Sequence, residues 1–153
     1  RNDSWVNATI ANQLALYVTM SSPLQMAADL PEHYEQFMDA FQFIKDVDID
    51  WIQSKYLLAE PGEYVVVARQ GKKNGQWFVG GVTDDNKRTL EVPFSFLESG
   101  KTYEATIYRD AEDAHYRNNP QAYVIEKLPV TSDTVLPVTM APGGGFAISL
   151  EEK

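Results

Sequence analysis

The 153 residues carry 13 Lys and Arg against 22 Asp and Glu, a formal charge of −9, and 44% of them are hydrophobic. That is long and apolar enough for a packed core. The acidic balance disfavours nucleic acid and anionic membrane, because phosphate binding needs basic patches. The absence of cysteine excludes disulfides and thiolate metal sites. No apolar run reaches membrane-spanning length, and the opening Arg1-Asn2-Asp3-Ser4 does not read as a signal peptide.

In chain order, Val6 to Met20 reads as a helix. Val6, Ile10, Leu14 and Tyr17 recur at helical spacing, with Leu16, Val18 and Met20 on the remaining faces. Such a helix must be buried on several sides. Its girdle of Leu14, Leu16, Tyr17 and Val18 needs neighbours, and self-association is one source of them. Pro23 stops the helix, and Pro23 to Asp29 (PLQMAAD) reads as a buried parallel strand with an acid at its C-terminal tip. A second helix is expected from Glu32 to Lys45, on the spacing of Tyr34, Phe37, Met38, Phe41 and Ile44. Across Asp46 to Asp50 the helical period is lost, which sets a boundary between segments 1–49 and 50–153.

From Trp51 onward short alternating runs are separated by turn residues. The expected strands are Trp51 to Glu60, Glu63 to Gln70, Gln76 to Thr83, Arg88 to Leu97, Thr102 to Asp110, Tyr123 to Thr131, Thr134 to Ala141 and Phe146 to Glu151. Pro61-Gly62, Asn74-Gly75 and Ser99-Gly100 supply the turns. Ala111 to Gln121 is a long polar loop. The fold class is therefore mainly β with N-terminal helices: an antiparallel β-sandwich preceded by a helix–strand–helix unit, packed against it without a flexible linker.

Helix, acid-tipped strand, helix is also the last turn of a (β/α)8 barrel. NQLALYV, SPLQMAADLP and the closing APGGGF resemble the C-terminal end of glycoside hydrolase family 97, over roughly Asn7 to Leu150. The resemblance implies the end of a barrel and the sandwich behind it, cut from an exported, periplasmic α-glucosidase or α-galactosidase. It implies an upstream catalytic barrel as partner, holding the catalytic glutamates and calcium. None of those ligands or acids can be carried onto a residue here.

The candidate site residues follow from chemistry. Asp29, at a barrel strand end, could meet sugar hydroxyls; it could equally cap the helix that starts after Leu30-Pro31. Trp77 and Tyr116 are the aromatics expected outside the core, where their faces could stack on a pyranose ring of a bound oligosaccharide. The same residues serve as core or cross-strand pairs in most sheets. A glycosidase needs two carboxyls held across the scissile bond. The available pairs are Glu32/Glu35, Asp46/Asp48/Asp50, Asp84/Asp85 and Glu112/Asp113, which lie on an exposed helix face, in turns or at segment ends.

Asp46 to Asp50 opens like a calcium loop, but Trp51 and Leu57 stand where glycine and glutamate are required. His33 and His115 have no ligand partner at metal spacing. Gly143-Gly144-Gly145 lacks the Lys-Ser/Thr of a phosphate loop and reads as a tight bend. The function expected is accessory: a brace and oligomerisation region without catalytic residues or cofactor of its own. The alternative is a carbohydrate-binding module.

Overall fold

A computed structural model describes residues 8–20 and 34–153. The strand expected at Pro23 to Asp29, with Asp29 itself, lies outside the described residues. Helix α1 (Ile10–Thr19) begins where Thr9 caps it, its hydroxyl accepting from the Asn12 N–H at 3.1 Å. The second helix starts later than its periodicity suggests. Tyr34–Phe37 forms a 3-10 turn, and α2 (Met38–Asp46) follows. Phe37 leaves helical geometry (φ −126°, ψ 31°), which sets its ring 6.3 Å from both Phe41 and Tyr123.

Eight strands follow: β1 (Trp51–Glu60), β2 (Tyr64–Gly71), β3 (Trp77–Thr83), β4 (Arg88–Pro93), β5 (Tyr103–Asp110), β6 (Tyr123–Val130), β7 (Val135–Met140) and β8 (Gly145–Glu152). They form a six-stranded antiparallel sheet ordered β1-β2-β3-β8-β5-β6 and a ribbon of β4 with β7. Sequence pattern extends the fourth strand to Leu97, but it stops at Pro93. There the chain turns, with the Leu97 N–H donating to the Phe94 carbonyl at 3.0 Å, and the Phe94 ring drops into the core.

Alternation along the strands gives the large sheet two apolar faces. Val79, Ile107, Phe146, Ile148 and Leu150 pack with Val92, Phe94, Val138 and Met140 of the ribbon side. On the opposite face Phe78, Tyr108 and Ala147 meet Ile10, Leu14, Tyr17, Val18 and Phe43 of the helices. The sheet is thus the middle of three layers, and its central strands β3 and β8 are buried on both sides.

The girdle of α1 is therefore satisfied within the chain. Leu14, Tyr17 and Val18 are buried and Leu16 half-buried, so the exposed girdle expected from sequence is corrected: the sandwich itself covers it. Close approach makes this possible. A Cβ on Gly80 would lie 2.7 Å from the Ala15 carbonyl oxygen and 2.9 Å from the Val18 Cβ, so α1 rests on bare backbone of β3. Gly80→Ala should force the helix off the sheet and cost about 1–3 kcal/mol, the range for overpacked cores. Urea denaturation followed by circular dichroism reads this, and an unchanged midpoint would show that α1 is not held at that distance.

Candidate functional site

The most constrained polar cluster sits where α1 begins. First-turn N–H groups of a helix have no partner inside it. Here the sandwich supplies one for Ile10, which donates to the Pro120 carbonyl at 2.8 Å, and the capping residue Thr9 donates to the Gly143 carbonyl at 3.2 Å. Asn12, buried in the apolar face, donates through Nδ2 to the Gly144 carbonyl at 2.9 Å. Beneath them Asp110, at the end of β5, is 2% exposed, and its Oδ2 accepts from the N–H groups of Ala141 (2.8 Å) and Gly145 (2.9 Å).

The glycines are required here for separate reasons. Gly143 holds φ +64° against the Tyr116 side chain, and a Cβ on Gly144 would lie 1.9 Å from the Asp110 carboxylate. The glycine bend thus joins the ends of β3 and β5 to the start of α1, with Gly143 donating to the Asp84 carbonyl and Thr83 donating to that of Gly144. At the other end of α1, Arg69 reaches from β2 to the carbonyls of Val18 and Thr19 and to the Ser54 hydroxyl. Those carbonyls are the unpaired acceptors of the helix C-terminus, where a cation is favoured.

Burial pushes the Asp110 carboxyl above its ordinary value, while the Thr9 hydroxyl and the N–H groups of Ala141 and Gly145 pull against it. The Thr9 hydroxyl lies beside the carboxylate, yet Oδ1 has no donor in hydrogen-bonding geometry. A buried acid that serves as a backbone anchor suits fold specification, and no second carboxyl shares its position among the described residues. Sequence reading passed over this cluster. The signals were a polar Thr9 and Asn12 within an apolar helix and an acid ending a core strand.

Of the predicted site residues, Asp29 lies outside those described, and Trp77 and Tyr116 do not come together. Trp77 is 7% exposed and packs in the core, its ring 4.9 Å from Phe96, so the expectation that it lies outside the core is corrected. β8 brings Leu150 opposite Trp77 and turns the ring inward against the ribbon. Tyr116 is half-buried in the loop, stacked on His115 at 4.7 Å, with the Arg117 guanidinium 5.5 Å from its ring centre. Tyr116 lies against Gly143, just before β8 begins, whereas Trp77 pairs near the end of β8. Some seven residues of extended strand, roughly 20 Å, separate them.

Two of the candidate acids, Asp48 and Asp84, are engaged locally. Burial pushes Asp48 up, but the N–H groups of Lys73, Asp50 and Ile49 outweigh it and hold the carboxyl below its usual value. Asp84 is lowered by the Asn86 N–H and by Arg88, which also binds Glu63. A cleft of about 400 Å³ lies beside Trp77, lined by Gln53, Gln70, Gln76, Tyr103 and Glu98. Its carboxylates Glu98 and Glu152 both bind Lys101. A second, of about 450 Å³, runs under α2 between Asp39, Asp46, Tyr108 and Lys127, where burial and the two aspartates push the Tyr108 hydroxyl up to about 12. Among the described residues no group of three or more His, Asp and Glu could hold a metal ion, and no helix is long and apolar enough to cross a membrane.

The architecture is a three-layer one, a β-sandwich with a helix anchored on its outer face. Residues 50–151 match the family model "Glycosyl-hydrolase 97 C-terminal, oligomerisation". The chain is 40% identical over 143 residues to a retaining alpha-galactosidase of Bacteroides thetaiotaomicron, covering 94% of this chain and 21% of that protein. It is 32% identical over 140 residues to a probable retaining alpha-galactosidase of Streptomyces bingchenggensis, covering 92% and 20%. Its fold superposes with a TM-score of 0.88 on a glycoside hydrolase family 97 enzyme from a Pseudoalteromonas species, solved in complex with acarbose, at 41% identity over 96% of this chain and 23% of that one. The chain belongs to the C-terminal region of glycoside hydrolase family 97 and spans about a fifth of the length of the relatives it matches.

Asp110 also makes a pH-dependent contribution. Its folded pKa is raised, so its contribution is most favourable below its ordinary value of 3.8 and is lost as pH rises through the folded pKa. Asp110→Asn should therefore gain stability relative to the native chain between pH 3.5 and 7. Parallel denaturant titrations measure the difference, and a constant or falling gap would contradict the raised pKa.

Proposed function

We propose that this chain is the brace and self-association region of a longer glycosidase, with the chemistry carried out by an upstream barrel. The observation that carries it is that α1 is locked to the sandwich at both ends. The N–H groups of Thr9 and Ile10 meet the carbonyls of Gly143 and Pro120, and Arg69 holds the carbonyls of Val18 and Thr19. A helix fixed that way positions whatever chain adjoins it, as a rigid scaffold must for a site elsewhere.

The parent's reaction is hydrolysis of an α-linked galactoside or glucoside, supported by the names of the two relatives and by the acarbose complex. The carboxyl pair such chemistry requires is assigned to the upstream barrel, together with calcium. Of the described acids, Asp84, Glu98 and Glu152 are held in ion pairs and Asp110 anchors two backbone N–H groups. Kinship supports an exported, periplasmic setting for that parent.

Hydrolysis of p-nitrophenyl α-galactoside and α-glucoside, with and without added calcium, tests the assignment on this chain and on the longer polypeptide. The expected result is turnover by the longer polypeptide alone, with loss of activity on chelation of calcium. Turnover by this chain would overturn the accessory reading. Calcium-independent activity of the longer polypeptide would remove the metal from it.

A further inference from the structure

The helix face of the central sheet changes character along its strands. Cross-strand partners form rows on that face, running from β3 through β8 and β5 to β6. Gly80, Ala147, Tyr108 and Ile125 make the row that lies beneath the helices. Phe78, Ser149, Thr106 and Lys127 make the next, and Glu151 pairs with Glu104 in the one after. The face thus passes from apolar to polar, and the cleft of about 450 Å³ under α2 opens at that passage. Its other wall is α2, on which Asp39, Gln42 and Asp46 stand at i, i+3 and i+7, in one stripe.

Polar groups in this cleft are left with bonding capacity. Tyr108 is 3% exposed and Ser149 8%, both line the cleft, and neither hydroxyl has a hydrogen-bond partner among the described residues. The Tyr108 ring packs edge-on against Phe43 at 5.5 Å, which leaves the hydroxyl as its part at the cleft. Asp39 and Asp46 each use one oxygen. Oδ1 of Asp39 accepts from the Tyr123 hydroxyl and the Ala40 N–H, and Oδ1 of Asp46 accepts from the Gln42 amide. Among the described residues neither Oδ2 accepts a hydrogen bond, and neither carboxylate forms an ion pair. Glu104 and Glu151, at the polar end, share Lys153 at 3.7 and 3.6 Å. Lys127 is the one cation among the lining residues, and it pairs with no described carboxylate.

We propose that this cleft binds a linear polyamine, with one ammonium group at Asp39 and another at Asp46 and the Tyr108 and Ser149 hydroxyls between them. The two aspartates are seven helical residues apart, a span of about 10 Å, which matches the reach of a triamine and exceeds that of a single ammonium. Each terminal ammonium brings three donors and no acceptor. The free carboxylate oxygens and the two buried hydroxyls are the acceptors that lack donors. Burial and the two aspartates keep the Tyr108 hydroxyl protonated, so it can accept from an ammonium while donating to a carboxylate. A neutral sugar suits the cleft less, because the Tyr108 ring is turned to Phe43 and offers no face for stacking. A metal ion also suits it less, since no described group of three or more His, Asp and Glu could hold one.

Isothermal titration calorimetry with spermidine at low salt, on this chain and on the longer polypeptide, tests this. Saturable binding at one site in each is expected, weakening as salt is added. Asp39→Asn and Asp46→Asn, both on the exposed side of α2, should each weaken binding about tenfold, the worth of a charged hydrogen bond. Tyr108→Phe removes a hydroxyl without a partner and changes no charge. It should leave circular dichroism unaltered and weaken binding about threefold, the worth of a neutral hydrogen bond. Asp133→Asn, an exposed acid in the turn before β7, should leave binding unchanged. Equal weakening by Asp133→Asn, or full binding by Tyr108→Phe, would mean general attraction to an acidic surface and would overturn the site. Absence of saturable binding in either polypeptide would overturn it too. Binding of maltotriose that persists in salt, without binding of spermidine, would replace it with a glycan cleft.

Discussion

The structure depends on the contact between α1 and the bare backbone of the central sheet. Gly80 in β3 removes the side chain that would hold the helix away. The helix then buries Leu14, Tyr17 and Val18 directly against Phe78, Tyr108 and Ala147. Such an approach brings polar helix ends into a dry interface, where every unpaired N–H or carbonyl is costly. The cluster of Thr9, Asn12, Asp110 and the glycine bend at one end, and Arg69 at the other, are the consequence. Packing and polar satisfaction are one problem here, solved by the same few residues.

The central sheet has to serve two cores at once. β3 and β8 are buried on both faces, so side-chain size on one face is limited by the ribbon and on the other by the helices. Large rings fill the ribbon side, where Phe146 and Trp77 sit, while small residues such as Gly80 and Ala147 admit α1. The arrangement explains why an aromatic-rich chain has no stacking platform at Trp77. The ring is used to close the sandwich between Phe96 and the end of β8.

For an enzyme accessory region this division has a functional sense. The polar anchors make the helix-bearing face one body with the sandwich.

The sequence by itself determined the local elements. Period-two alternation marked all eight strands within a few residues, glycine at 62, 75 and 100 marked turns with φ of 78°, 77° and 84°, and NQLALYV with APGGGF marked the family. Of the Asn74-Gly75 turn only Gly75 takes positive φ. Local pattern also read the apolar girdle of α1 correctly as a surface needing cover. It could not say what covered it, because that depends on β8 entering between β3 and β5 and presenting a bare strip of backbone beside it. The burial of Trp77, the anchoring of Asp110 and the separation of Trp77 from Tyr116 were decided the same way. Each depends on residues distant in sequence that strand order brings together, and strand order leaves no trace in the periodicity of any one strand.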